Sequence, residues 1–164
     1  LERKSYYKLW GVLFQSFAKF WFSVRENIGV SNVEDIDNMG LIKAAAEKTG
    51  VDELVKEYPN QYETLLSRDF EGGKELSGGQ WQKLGIARAM FASPKLIVLD
   101  EPASALDALA EAEVFKSINE LAREATIVVI SHRFATVRNA NHIVVLKNVK
   151  VTEQVSHEQL IENG

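Results

Sequence analysis

Three nearly continuous apolar runs mark the second half of the chain: Leu96-Ile97-Val98-Leu99, Thr126-Ile127-Val128-Val129-Ile130 and Ile143-Val144-Val145-Leu146. Continuous rather than alternating runs suit strands covered on both faces, the habit of parallel sheets. An earlier run, Gly11-Val12-Leu13-Phe14, reads as a short buried strand ending at Gln15. Between the first two runs, Leu109, Val114, Ile118, Leu121 and Ala125 recur at helical spacing. Strand, helix and strand in that order predict a βαβ unit. From about Ser23 to Ala92 the spacing is mainly helical, as in Leu41, Ala44, Ala45 and Val51, Leu54, Val55. The expectation is an α/β chain with a mostly parallel sheet and flanking helices. Residues 1–22 would carry the first strand, 23–92 a helical subdomain and 93–164 the α/β core. Residues Ile143 to Gln154 predict a hairpin closed near Lys147-Asn148-Val149-Lys150, a turn without the glycine that a two-residue hairpin loop favours.

Composition narrows the function classes. The 164 residues carry 19 basic and 23 acidic side chains, a net charge of −4, with no long basic run to neutralise phosphates, so no nucleic-acid partner is expected. Cysteine is absent, which excludes disulfides, thiol nucleophiles and thiolate metal sites. No apolar stretch approaches the roughly 20 residues that a membrane-spanning helix needs.

Four features have chemical potential. Ser77 and Gln80 in Leu76-Ser77-Gly78-Gly79-Gln80 stand at capping-box spacing before the helical pattern Leu84, Ala87, Arg88, Phe91. Glycines in the first turn let its free N–H groups approach an anion closely, although the same stretch is also simply a good helix cap. Leu96–Leu99 runs into Asp100-Glu101-Pro102, which places two carboxylates at the carboxyl edge of a sheet, where α/β proteins bind ligands. One carboxylate there can hold Mg²⁺ and its neighbour can take a proton from water. They can equally begin a turn, with Asp107 capping the next helix. His132 follows the strand ending at Ile130, and Gln15 follows the first strand. Alone, each is more often structural.

Together these features resemble the ATPase domain of ABC transporters. Leu76–Gln80 with Trp81-Gln82-Lys83-Leu84-Gly85-Ile86-Ala87-Arg88-Ala89 is similar to the family's signature motif. Leu96–Pro102 resembles its Walker B strand, Ser104-Ala105-Leu106-Asp107 its D-loop, Ile130-Ser131-His132-Arg133 its switch histidine and Leu13-Phe14-Gln15 its Q-loop. The resemblance implies a P-loop-NTPase-like core with an inserted helical subdomain, and ATP and Mg²⁺ as ligands. It implies that Asp100 helps to hold Mg²⁺, that Glu101 is the general base and that His132 contacts the γ-phosphate. Gln15 would sense Mg²⁺ and the attacking water. Leu76, Ser77, Gly78, Gly79 and Gln80 would meet ATP held by an opposite subunit, and Ser104 and Asp107 would communicate across the dimer. The implied partners are a second ABC ATPase domain and a transmembrane domain, at the cytoplasmic face of the membrane.

The family's P-loop, G-x-x-x-x-G-K-[ST], is not found in the sequence. The pair Gly73-Lys74 is followed by Glu75, and Arg68 stands where the first glycine would be. The expectation is therefore a domain cut before its P-loop and first strands, inactive alone. Ala103 replaces a threonine common in relatives, and Val149 and Val155 replace glycines. Phe70-Glu71-Gly72-Gly73, Trp81-Gln82-Lys83 and Val155-Ser156-His157-Glu158-Gln159-Leu160 resemble bacterial exporters. A soluble, non-transport ABC ATPase and a non-catalytic interaction module are the alternatives. Against the first, this sequence shows none of the sustained heptads that repair and chromosome ATPases carry ahead of the signature, and the second is opposed by intact Asp100, Glu101 and His132.

Overall fold

The computed structural model describes residues 8–104, 106–133, 136 and 140–156, in two compact units, residues 1–130 and 131–164. The first unit holds a parallel sheet of strands β1 (Trp10–Leu13), β2 (Leu96–Asp100) and β3 (Thr126–Ile130), in that spatial order. Leu13 lies opposite Leu99, and Asp100 opposite Ile130. All three strands therefore end at one edge.

Side chains alternate across this sheet, as a pleat requires. One face presents Gly11, Leu13, Ile97 and Leu99, all buried. The other presents Trp10, Val12, Val128 and Ile130, which keep 42–52% of their surface exposed. The apolar runs predicted cover on both faces, and the structure covers one. The runs are apolar on both sides of the pleat, so they describe what each face can bury rather than what buries it.

Among the described residues of the first unit, five α-helices accompany the sheet: α1 (Val24–Gly29), α2 (Met39–Thr49), α3 (Val51–Lys56), α4 (Gly78–Met90) and α5 (Ala108–Leu121). Local chemistry sets their ends. Ser23 and Glu26 close a reciprocal capping box on α1, and Ser77 and Gln80 close another on α4. Helix α2 stops at Gly50, whose φ of 72° is left-handed, a conformation that glycine adopts without steric cost. Arg25 ties α1 to the following loops through Glu63 at 2.6 Å and Asp37 at 2.7 Å.

Two hydrophobic clusters meet along α4. Trp81, Leu84 and Ala87 join Ile28, Ile42 and Leu66 in the core of the helical region. Ile86 and Met90 join Leu13, Leu99, Val114 and Leu121 between sheet and helices. Strand β1 approaches α4 so closely that a Cβ on Gly11 would lie 2.1 Å from the Ala89 carbonyl oxygen. Glycine is the residue that permits this contact.

In the second unit, β4 (Ile143–Lys147) and β5 (Lys150–Val155) form the predicted hairpin, with Lys147 opposite Lys150. Its loop residues Asn148 and Val149 have φ of 51° and 62°. Both angles fit a turn that glycine and asparagine favour and a β-branched residue strains. Of the exporter-like segment at the end, residues 157–160 lie outside the described residues, as does Ala105 of the D-loop.

Candidate functional site

The parallel register decides which candidates meet. Because Leu13 pairs with Leu99, Gln15 and Glu101 each follow a paired position by two residues, at the ends of neighbouring strands. Gln15 is exposed, and Asp100 and Glu101 are half-buried. The Glu101 N–H donates to the Ile130 carbonyl at 2.9 Å, which extends the ladder beyond β2. Its carbonyl then accepts from Ser104 N–H at 3.1 Å, closing a turn. Glu101 adopts φ of 48°, a left-handed conformation that costs a residue with a Cβ about 1–2 kcal/mol. Its Oε2 is shielded from solvent. Glu101 is thus a strained residue at the carboxyl edge of the sheet, and strain of this kind is often stored at functional positions.

The second group gathers where α4 begins. Ser77 Oγ accepts from Gln80 N–H at 3.3 Å, and Gln80 Oε1 accepts from Ser77 N–H at 2.9 Å. Leu76 is buried beneath this turn, while Ser77 and Gly78 are exposed. A Cβ on Gly79 would lie 3.2 Å from the Ala110 Cβ and 3.7 Å from Leu106 Cδ2. The start of α4 therefore packs beside the loop leading into α5, and Lys83 strengthens the contact with an ion pair to Glu113 at 2.6 Å. Asp107 caps α5, accepting from Leu109 and Ala110 N–H at 3.0 and 2.9 Å. Ser104 is half-buried. His132 belongs to the second unit and is exposed. Beside it, Ser131 Oγ hydrogen-bonds Thr136 Oγ1 at 3.3 Å and accepts from Arg133 N–H at 3.1 Å.

Residues 1–104 match the family described as ABC transporter. The chain belongs to that family. As an ABC transporter sequence it is 39% identical over 163 residues to the nisin transport ATP-binding protein NisT of Lactococcus lactis subsp. lactis, covering 98% of this chain and 27% of that protein. It is 43% identical over 121 residues to the ATP-dependent lipid A-core flippase of Desulfotalea psychrophila, covering 74% of this chain and 21% of that one. The solved structure of a bacterial Atm1-family ABC exporter with ATP bound superposes with a TM-score of 0.80 at 27% identity, over 95% of this chain and 26% of that chain. The chain thus spans about a quarter or less of the length of these proteins.

Within this ABC domain, the helical pattern Leu84, Ala87, Arg88, Phe91 includes one charged residue, Arg88, whose role the pattern does not express. Arg88 occupies the spacing of Leu84 and Phe91 and is half-buried. Its Nε donates to the Asn27 carbonyl at 2.7 Å, and its other nitrogens donate to Asn27 Oδ1 and the Ala18 carbonyl, each at 2.8 Å. Burial holds its pKa below the usual arginine value. An arginine in an otherwise apolar helical stripe is the signal that marks it in the sequence. Its acceptors lie too far along the chain to be read there.

Mg²⁺ favours oxygen ligands and is commonly held through one or two carboxylates plus phosphate oxygens rather than a protein cage. Among the described residues no cluster of three or more histidine or acidic side chains could hold a metal ion. The half-buried Asp100, with Gln15 at the adjoining strand end, fits the sparser arrangement.

Proposed function

We propose that this chain is the signature-bearing and catalytic part of an ATP-hydrolysing domain in an ABC exporter. The observation that carries this reading is the placement of Gln15, Asp100 and Glu101 at adjoining ends of parallel strands, with Glu101 held in a strained conformation. In this reading Asp100 and Gln15 hold Mg²⁺, which supplies charge neutralisation on the phosphates. Glu101 accepts a proton from the water that attacks the γ-phosphorus. As that bond forms, the bond to the ADP oxygen breaks. By the resemblance of residues 130–133 to the switch motif, His132 would contact the γ-phosphate.

Ser77, Gly78 and Gly79 serve the ATP of a second ABC ATPase domain. The exposed first turn of a 13-residue helix offers N–H groups and the positive end of the helix dipole to that phosphate. Ser104 and Asp107 flank Leu106, which lies near Gly79 of this turn, and carry communication between the domains. Closure of the pair, followed by hydrolysis, drives a transmembrane domain at the cytoplasmic face of the membrane. The exporter assignment draws on relatives named for nisin, subtilin and lipid A-core. That range of names supports export as the activity without singling out a cargo.

Turnover requires a P-loop, which these 164 residues do not contain. The test is Glu101→Gln in a polypeptide that carries a P-loop segment ahead of residue 1. The expected result is retained ATP binding and dimerisation, with turnover lowered by roughly 10²–10⁴-fold, the usual contribution of a general base. Persistent turnover would remove Glu101 from that role. The alternative is a non-catalytic interaction module. No turnover by the unaltered P-loop-bearing polypeptide would favour it.

A further inference from the structure

The segment carrying Gln15 is pinned to one helix on both sides. Before Gln15, Gly11 meets the backbone of Ala89, and Leu13 lies against Gly85. After it, Phe17 reaches Gly85, the Ala18 carbonyl accepts from Arg88 at 2.8 Å, and the Phe20 ring lies under the Arg88 guanidinium at 5.0 Å. Asn27 completes the clamp. It is fully buried, accepts from Arg88 with both its oxygens, and its Nδ2 donates to the Phe20, Phe22 and Ser23 carbonyls at 3.0–3.1 Å. Ser31 Oγ in turn donates to the Arg88 carbonyl at 2.7 Å.

A guanidinium is suited to this position. It directs several N–H groups along fixed lines, which a lysine ammonium on a flexible stem does not reproduce. Here those lines reach the backbone within the aromatic loop 16–22, at Ala18, and beyond it, at Asn27. The helix that carries Arg88 near one end begins at Ser77–Gln80 at the other, roughly 12–16 Å away at 1.5 Å per residue.

We infer that Arg88, together with Asn27, is a positioning residue for Gln15, fixing the loop 16–22 to α4 so that Gln15 moves with the helix that bears Ser77–Gln80. A shift of α4 at its exposed start is then transmitted to the strand end where Gln15 stands beside Asp100 and Glu101. The consequence for catalysis rests on the ATPase reading, whereas the clamp itself does not.

Lys19 lies inside the loop, which makes limited trypsin digestion a direct measure of the clamp. The variant Arg88→Lys keeps the charge and adds no cleavage site, because trypsin cuts after both residues. In the 164-residue chain, cleavage after Lys19 is expected to accelerate about tenfold through local opening. The thermal midpoint and cleavage elsewhere should change little. If Arg88→Lys does not fold, Phe20→Ala removes the ring beneath the guanidinium, with about a threefold local acceleration expected. Equal acceleration at all sites, or none after Lys19, would overturn the proposal.

In a P-loop-bearing polypeptide, Arg88→Lys should lower kcat with KM for ATP nearly unchanged, and Gln15→Ala should add little further loss. Fully multiplicative losses would overturn the link to Gln15. Absence of turnover in the unaltered polypeptide would overturn the ATPase reading instead, and the digestion result, which needs no nucleotide, still decides the clamp.

Discussion

The helical region between Ser23 and Phe91 and the three-stranded sheet are built from similarly apolar sequence, yet they are finished differently. In the helical region Ile28, Ile42, Ala46 and Leu66 have no exposed surface, and both Ser-capped helices have closed capping boxes. The sheet closes on one side only, leaving Trp10, Val12, Val128 and Ile130 about half exposed. The proposed site draws on both regions: Ser77–Gln80 opens a helix of the finished one, and Gln15, Asp100 and Glu101 stand on the half-open one. A region that completes its own core can hold a binding turn rigid. A sheet with an open face brings its strand-end side chains together through register alone, while one layer of its packing is left available.

The contrast breaks first at Leu66. Replacing this fully buried side chain with alanine should cost about 2–5 kcal/mol, a fall of roughly 4–20 °C in thermal midpoint for a chain of this size. A fall below about 2 °C would mean that the helical core is not closed in solution.

Acid provides an intermediate test. The Glu26 carboxylate sits below its ordinary pKa because it accepts from the Ser23 N–H and Oγ, each at 2.9 Å. Asp52 is lowered by the Tyr62 hydroxyl at 2.6 Å, and further by Lys56. Both groups have folded-state pKa values below their unfolded ones. Their stabilisation is therefore complete above the ordinary carboxylate range, near pH 4, and is lost as pH falls through the depressed values. Both lie in the helical region, so fluorescence of the buried Trp81 should report loosening there before strand amides exchange. Simultaneous loss would indicate that the two regions unfold as one.

The smallest effect belongs to the open face. Val128→Thr, at 44% exposure in β3, should change stability by no more than about 0.5 kcal/mol. A cost above 1.5 kcal/mol would show that something covers this face in solution.

Most of the fold follows from local pattern. The strands, the α4 capping box, the Asp107 cap and the Lys147–Lys150 turn each depend on residues within a few positions of one another, and all were legible for that reason. The Ser23–Glu26 box carried the same signal at S-x-x-E spacing and was readable too. Other features depend on long-range approach. The Arg88 clamp joins residues 61 and 70 positions apart, and only its place in an apolar stripe hints at it. The conformation of Glu101 follows from its N–H reaching Ile130, 29 positions later in sequence, and no local pattern expresses that. The uncovered sheet face was illegible because apolar runs record burial capacity alone.

The central claim is that these residues form the nucleotide-responsive part of an ABC ATPase that needs a P-loop to grip its own ATP. Calorimetric titration of Mg²⁺·ATP into the 164-residue chain, and into the same chain with a P-loop segment joined ahead of residue 1, tests it most directly. Little or no binding is expected from the first, clear saturable binding from the second, and a higher thermal midpoint once the segment is present. Equal nucleotide affinity in the two would contradict it.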